Sequence, residues 1–371
     1  MSHPWLADRA SAFDSSGIRK VFDLAAKMKD PINLSIGQPD FDVPDRAREA
    51  MVQAVSGGKN GYAQTQGIAP LLEKITAQVR SQYGHTDRKI VVTSGTSGAL
   101  FLSLMVLVNP GDEVILFDPY FVSYEPLVKL LGGRPVLIDN YPDFAIPLDR
   151  VAAAITKNTK AIIFDSPANP TGAVATEAEV RGLAELAAKH NVALISDEIY
   201  NHFCYSGTFV SPAKFNDQTI VVDGFSKTYA MTGWRVGFAH GPAAVIDVMI
   251  KLQQYTYVCS PQPAQWASVA AMDLDVQPHI NAYRRRRDMI VEGLGGLYEI
   301  ARPEGAFYVF PRVPDGLGSA TQFVERAIAN ELLVIPGKIF SARDTHFRIS
   351  YAAGERTIER GIEVLRKLAK G

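Results

Sequence analysis

A mainly parallel α/β sheet in a large domain, followed by a smaller α+β domain, is the architecture that this sequence predicts. Three observations point there. From about residue 90, short apolar runs alternate with longer amphipathic stretches, the rhythm of strands joined by helices. Beyond about residue 275 that rhythm changes. The length, 371 residues, corresponds to two domains at roughly 150 residues each.

The strands of the large sheet are expected at Ile90–Val92, Glu113–Phe117, Arg134–Ile138, Lys160–Phe164, Val192–Ile195, Thr219–Val222 and Trp234–Phe238. Helices are expected between them at Ser97–Val108, Tyr120–Leu131, Leu148–Thr156 and Thr176–His190. The later part reads as a long charged helix near Pro278–Leu294, a strand at Ala306–Phe310, a helix near Ala320–Asn330, strands at Leu332–Ile335 and Phe347–Ser350, and an amphipathic helix over about Gly354–Ala369. One helix near Ile18–Met28 precedes a Gly/Pro-punctuated extended stretch. The large domain is therefore placed at 46–275. Residues 276–371 form the small domain, with the 1–45 segment packing on it.

Composition narrows the function classes. Lys and Arg number 38 against 39 Asp and Glu, a net charge of −1, which argues against a nucleic-acid partner. Hydrophobic residues make up 47% and charged residues 21%, enough apolar material for a large core. Two cysteines, Cys204 and Cys259, exclude a disulfide framework and a cysteine-built zinc cluster and read as buried free thiols. The seven histidines show no metal spacing, so no metal is expected. The N-terminus lacks an apolar signal core. The run Ala99–Val108 is about half a membrane span. The expectation is a cytoplasmic protein with no membrane contact.

The strongest local signal is Gly224-Phe-Ser-Lys227-Thr-Tyr-Ala-Met-Thr-Gly-Trp-Arg235-Val-Gly-Phe, between two expected strands. A lysine at a strand exit among small and apolar residues has its ammonium form disfavoured by desolvation, which suits Schiff-base chemistry. Three more segments stand out. Ser196-Asp197-Glu198-Ile199-Tyr200 ends a strand. Asn169-Pro170-Thr171-Gly172 is loop punctuation on its own. Thr93-Ser-Gly95-Thr96-Ser97-Gly98 turns out of a strand into a helix whose free amides suit an anion.

Together these segments resemble class I pyridoxal-phosphate-dependent aminotransferases, from about Asp8 to Leu368. The details are most like the archaeal-type aromatic and aspartate enzymes, through Ser16-Gly-Ile-Arg19-Lys-Val-Phe-Asp and Lys29-Asp30. The resemblance implies the type I fold of these transferases, with a mainly parallel seven-stranded sheet, and pyridoxal 5'-phosphate as cofactor. It implies that Lys227 holds the cofactor as a Schiff base and shuttles the proton, that Asp197 pairs with the pyridine nitrogen, and that Tyr200 and Asn169 reach the phenolic oxygen. Thr96, Ser97 and Arg235 would hold the phosphate, and Phe121, in Pro119-Tyr120-Phe121, would stack on the ring. Arg348, in Phe347-Arg-Ile-Ser, and Asn169 would bind the substrate α-carboxylate beside the backbone of Gly37. Tyr62, in Gly61-Tyr-Ala-Gln-Thr-Gln-Gly67, would reach the phosphate of the neighbouring subunit in a homodimer. The Asn169–Pro170 bond would be cis. One departure is Gly224, where many relatives carry a phosphate-binding serine; Ser226 is the neighbouring hydroxyl.

The activity implied is transfer of an amino group from an L-amino acid to a 2-oxo acid such as 2-oxoglutarate. Serine at position 97 carries no charge where one bacterial aspartate branch has a lysine. Phe13, Phe22, Tyr62 and Phe121 are available nearby. Aromatic or broad neutral donors are therefore favoured, with aspartate as the alternative and Arg19 as the residue that could serve it. A carbon–sulfur lyase on the same scaffold and a non-catalytic aminotransferase-like regulator are the other readings. The basic run Arg284–Arg287 is expected to be the solvated face of a helix, and His202 to sit in the core or behind the site.

Overall fold

The computed structural model describes residues 3, 5–7, 9, 28–85 and 87–370. The expected helix near Ile18–Met28, together with Phe13, Arg19 and Phe22, lies outside those residues or at their margin.

Seven strands form the main sheet: β2 (Lys89–Thr93), β3 (Glu113–Asp118), β4 (Arg134–Asp139), β5 (Thr159–Asp165), β6 (Ala193–Asp197), β7 (Ile220–Gly224) and β8 (Gly237–Gly241). Their spatial order is β2-β8-β7-β6-β5-β3-β4. β8 runs antiparallel to both of its neighbours, and the pairs among β3 to β7 are parallel. β3 and β7 are buried at every position, as expected for strands covered on both faces. One face packs on α3 (Gly95–Leu107) and α7 (Ala243–Gln254), where Leu100, Leu104, Leu116, Ile163, Ile195 and Met249 meet. The other packs partly on α6 (Glu177–Lys189) through Val180, Leu183 and Ala187. Thr176 and Glu179 form a reciprocal capping box that starts α6, satisfying two donors left open by the helix end.

The seventh strand is shifted from its expected place. Trp234 lies in a single turn of tight helix over Thr232–Trp234, and Arg235 has φ 57°, so the strand begins only at Gly237. Four helices escaped the sequence pattern: α1 (Asp45–Ser56), α2 (Ala69–Tyr83), α7 and α8 (Gln262–Ala271). Pro70 lies in the first turn of α2, and Gln262-Pro263 opens α8. Proline there reads as a loop breaker, yet a first helical turn accepts it.

Two smaller sheets complete the described residues. β1 (Ile32–Asn33) pairs in parallel with β10 (Leu332–Leu333). β12 (Phe347–Ser350) lies between β11 (Ile335–Pro336) and β9 (Tyr308–Val309), antiparallel to both. α9 (Gln277–Leu294), α10 (Ala320–Ala329) and α11 (Glu355–Leu368) accompany them, and Phe307, Phe323, Phe347 and Ile358 fill their shared core. The run Ala306–Phe310 pairs only at Tyr308–Val309, and Leu332–Ile335 breaks at Val334 into β10 and β11. No helix among the described residues is long and apolar enough to cross a membrane.

The basic run on α9 is solvated at Arg284 and Arg285, as expected, but not at its other two members. Arg287 is buried and bonds Asp288, Glu304 and the Pro303 carbonyl, and Arg286 bonds Asp40. Cys204 and Cys259 are free but only half-buried.

Ile195 has no exposed surface in the middle of β6, two residues before Asp197. Ile195→Ala is expected to cost about 2–5 kcal/mol through lost burial and an unfilled cavity. Equilibrium unfolding in urea reads this directly; a loss below about 1 kcal/mol would mean that the sheet repacks around the gap.

Candidate active site

One cavity of about 280 Å³ opens at the C-terminal edge of the parallel strands, with Lys227, Asp197, Tyr200, Asn169, Thr96, Ser97, Phe121, Arg235, Gly37 and Arg348 in its wall. Ligands of open α/β sheets bind at this edge, because the chain leaves each strand there and loops can converge. Of the site residues expected from sequence, Tyr62 stands apart. It is 85% exposed and does not line the cavity of its own chain.

The anion end is built by backbone. β2 ends at Thr93, Gly95 turns with φ +67°, and α3 starts with no acidic residue in its first turn and no side-chain cap. Its first amides are therefore left for a ligand, and the helix dipole favours negative charge. A Cβ on Gly95 would lie 2.5 Å from Arg235 Nη2, so only glycine lets the guanidinium close on this turn. Arg235 Nη1 donates to the Thr232 carbonyl at 2.9 Å. Gly237 is similarly restricted, because its Cβ would meet Gly95 C at 2.6 Å and Thr96 N at 2.7 Å. Gly224 packs against Gly237 and Thr96, while Ser226 lines the cavity.

Lys227 follows β7. Its Nζ donates to the Gly37 carbonyl at 2.6 Å. Burial, aided by the charges of Arg348 and Arg235, lowers its pKa to about 8, against the opposing pull of Asp197. At pH 7 about a tenth of this amine is free of its proton, far more than for an ordinary lysine, as a nucleophile or base needs.

Asp197 ends β6. It accepts from the Tyr124 hydroxyl at 2.9 Å and from the Ile199 amide at 3.3 Å. Burial raises its pKa to about 6, while those donors and Lys227 hold it down. Tyr200 shares a hydroxyl–hydroxyl bond of 2.8 Å with Tyr308.

At the far wall Arg348 is 1% exposed. Its Nη1 donates to Asn169 Oδ1 at 3.0 Å and its Nη2 to the Ser35 carbonyl at 2.8 Å. The guanidinium lies 4.6 Å from the centre of the Tyr308 ring and 4.7 Å from that of Phe340. Nε has no partner. Such a held, incompletely satisfied fork suits a carboxylate. A Cβ on Gly37 would come within 2.8 Å of the Tyr308 hydroxyl.

The Asn169–Pro170 bond is not cis, contrary to expectation. The cis bonds precede Pro119, Pro142 and Pro167. Asn169 is instead aimed by a turn in which the Gly172 amide donates to the Ala168 carbonyl at 2.8 Å and the Ala168 amide to the Ala173 carbonyl at 2.9 Å. The Asn169 amide meanwhile donates to Asp165 Oδ2.

Sequence reasoning missed Tyr124, Tyr308 and Asp165, all in the cavity wall. Tyr124 opens α4 (Tyr124–Leu130), three residues beyond Phe121. Asp165 and Tyr308 sit on strands beside apolar neighbours. His202 lies outside this cavity, against a second one near Tyr83 and Ser211. Among the described residues no group of three His, Cys, Asp or Glu could hold a metal.

The cavity fits pyridoxal phosphate at each point of its chemistry. An uncapped helix end with an arginine suits the phosphate. A buried carboxylate suits a cationic ring nitrogen, and an amine of lowered pKa suits the aldehyde.

Residues 29–365 match the family model described as aminotransferase class I and II. A probable aspartate aminotransferase of Methanocaldococcus jannaschii is 38% identical over 98% of this chain and 99% of its own. An aromatic-amino-acid aminotransferase 2 of Thermococcus litoralis is 35% identical over 98% of both. The structure of an aspartate aminotransferase from Thermus thermophilus with maleate superposes with a TM-score of 0.94 at 36% identity, covering 99% of this chain and 100% of that one.

Tyr124→Phe removes the hydroxyl that steadies the Asp197 anion. The Asp197 pKa is expected to rise above about 6, so a larger share is protonated at pH 7. Carboxyl-carbon NMR titration measures it, and an unmoved midpoint would contradict the role given to Tyr124.

Proposed function

The chain belongs to the class I and II aminotransferase family, and we propose that it transfers the amino group of an L-amino acid with an aromatic or neutral side chain to a 2-oxo acid such as 2-oxoglutarate. The observation that carries the reading is the convergence, in one cavity, of the Lys227 amine, the buried Asp197 carboxyl and Arg235 at an uncapped helix end.

When bound, pyridoxal phosphate supplies an electron sink for negative charge at the substrate Cα. The rest of the task falls to the chain. The amides at the start of α3, the hydroxyls of Thr96 and Ser97, and Arg235 hold the phosphate. Phe121, in the cavity wall, would cover one face of the ring. Asp197, as the anion, keeps the ring nitrogen protonated, with Tyr124 donating to it. Tyr200 and Asn169 bond the phenolic oxygen. Arg348 takes the substrate α-carboxylate, and Asn169 supports it from the other side. Lys227 Nζ would take the proton from the substrate Cα and later give one up, as base and then acid. A pKa near 8 allows both roles around neutral pH.

The donor preference rests on the inventory of cations. Among the described residues lining the cavity, the basic ones are Lys227, Arg235 and Arg348. Each is assigned above, to proton transfer, phosphate and α-carboxylate. Among the described residues a second carboxylate on the substrate would find no further cationic partner, and burying it unpaired is costly. Gln38, Ile36 and Thr232 line the cavity and offer polar and apolar contact without charge. The active unit is a homodimer in which the exposed Tyr62 reaches the phosphate bound by the other subunit.

Lys227→Ala is expected to lower turnover by at least about 10²–10⁴-fold while leaving the fold intact. Borohydride should fix the cofactor irreversibly to the wild-type protein at Lys227 and to no residue of the variant, as mass spectrometry of the digested protein reveals. Turnover persisting in the variant would remove the mechanism.

The kcat/KM for phenylalanine and tyrosine with 2-oxoglutarate is expected to equal or exceed that for aspartate. A preference for aspartate above about 100-fold, roughly 2.7 kcal/mol of transition-state discrimination, would require a cation beyond the three named.

A further inference from the structure

Asp165 ends β5 as Asp197 ends β6, and the two are register partners across these parallel strands. Both line the cavity. Asp165 Oδ2 accepts from the Asn169 amide at 3.1 Å, and among the described residues no hydroxyl or cationic side chain is bonded to it. Asp197 has the Tyr124 hydroxyl and the Ile199 amide, with Lys227 as the nearby positive charge. The subsite therefore holds two adjacent carboxyl groups and lacks the positive charge to satisfy both as anions.

We propose that Asp165 is a positioning residue of the ring-nitrogen subsite, holding a proton beside Asp197 across the β5–β6 pair and releasing it when a cationic ring nitrogen enters. The inference rests on the reading of the cavity as a pyridoxal phosphate site. Burial and the neighbouring Asp197 charge raise the Asp165 pKa to about 8, and Asp197 sits at about 6. Between those values, in the cofactor-free protein, Asp197 is the anion and Asp165 keeps its proton.

The other titratable groups facing the pair favour this arrangement. Tyr124, from α4, donates its proton and stays neutral. Tyr200, beyond β6, is bonded to Tyr308 and neutral as well. Asp223, on β7, has its pKa pushed well up by burial. On the β3 side, Asp118 accepts from the Ala342 amide. Lys227 lies nearer Asp197 in its electrostatic effect than Asp165. A protonated nitrogen placed against Asp197 supplies the missing charge. The O–H bond of Asp165 then breaks, the electron pair stays on its oxygen, and the proton passes to solvent. Asp165 thereby makes cofactor affinity rise with pH, because each proton released on binding adds a factor of ten per pH unit.

The test is the pH dependence of pyridoxal phosphate affinity, measured by calorimetry on the cofactor-free full chain from pH 6 to 8, with proton release counted in buffers of different ionisation enthalpy. Asp165→Asn keeps the shape and an oxygen for the Asn169 amide, and removes the ionisable proton. The ratio of wild-type to variant affinity is expected to rise by about 10- to 100-fold over this range, with up to one more proton released by the wild type. Parallel pH profiles and equal proton counts would overturn the proposal and leave Asp165 as an acceptor for one backbone amide. If the variant does not fold, a deaza analogue of pyridoxal phosphate, with carbon in place of the ring nitrogen, decides the matter on the wild type. It should bind without the extra proton release, and release equal to that of the natural cofactor would overturn the proposal. Absence of any pyridoxal phosphate binding by the wild type would instead overturn the cofactor reading itself, and this inference with it.

Discussion

The register of β5, β6 and β7 is the constraint on which the cavity depends. Parallel pairing puts Asp165 level with Asp197, and Asp197 level with Val222. The chain then leaves β7 at Gly224, three residues before Lys227. A slip of one residue in β6 would turn Asp197 to the other face of the sheet and replace it with Ser196 or Glu198. The apolar strand interiors, Ile162–Phe164, Leu194–Ile195 and Ile220–Val222, hold this register by burial on both faces. Core packing and site geometry are thus one requirement here.

Much of this was legible in the sequence, for physical reasons that also explain what was not. The parallel strands are short, apolar and separated by amphipathic helices, so they announce themselves. The lysine segment is long and dense with small residues whose roles are steric. Gly95 and Gly237 each leave space that a Cβ would fill with Arg235 or with backbone. The start of β8 was misplaced because Trp234-Arg235-Val236 looks β-prone, while a left-handed turn at Arg235 is set by tertiary contact with the Gly95 turn. The charge state of Arg284–Arg287 misled for a similar reason. Four consecutive arginines must face all sides of a helix, and the one facing inward, Arg287, found Asp288 and Glu304, which local pattern does not foretell. Asp165 was invisible because its partner is 32 residues away and its significance lies in register, not in any motif of its own.

The cavity's electrostatics are asymmetric. Lys227, Arg235 and Arg348 are its basic side chains, and the carboxyl groups of Asp165 and Asp197 stand side by side at the ends of β5 and β6. Each set disturbs the other. The guanidinium groups of Arg348 and Arg235 help to lower the Lys227 pKa, and Lys227 helps to hold Asp197 as an anion. Tyr308 links the two ends, bonded to Tyr200 on one side and lying against Arg348 on the other. Such a site suits a ligand that carries both negative and positive charge.

The stretch Ile36–Gln38 forms one wall of this cavity, yet what fixes it comes far later in the chain. β1 pairs with β10, the Ser350 amide donates to the Leu34 carbonyl, and Arg348 bonds the Ser35 carbonyl across 313 residues. During synthesis on the ribosome the seven-stranded sheet is complete once β8 has emerged, about a hundred residues before β12. At that stage of synthesis the partners that hold this wall have not yet been made. A chain cut short before β12 would carry every strand of the main sheet but lack the contacts that hold this wall of the pocket.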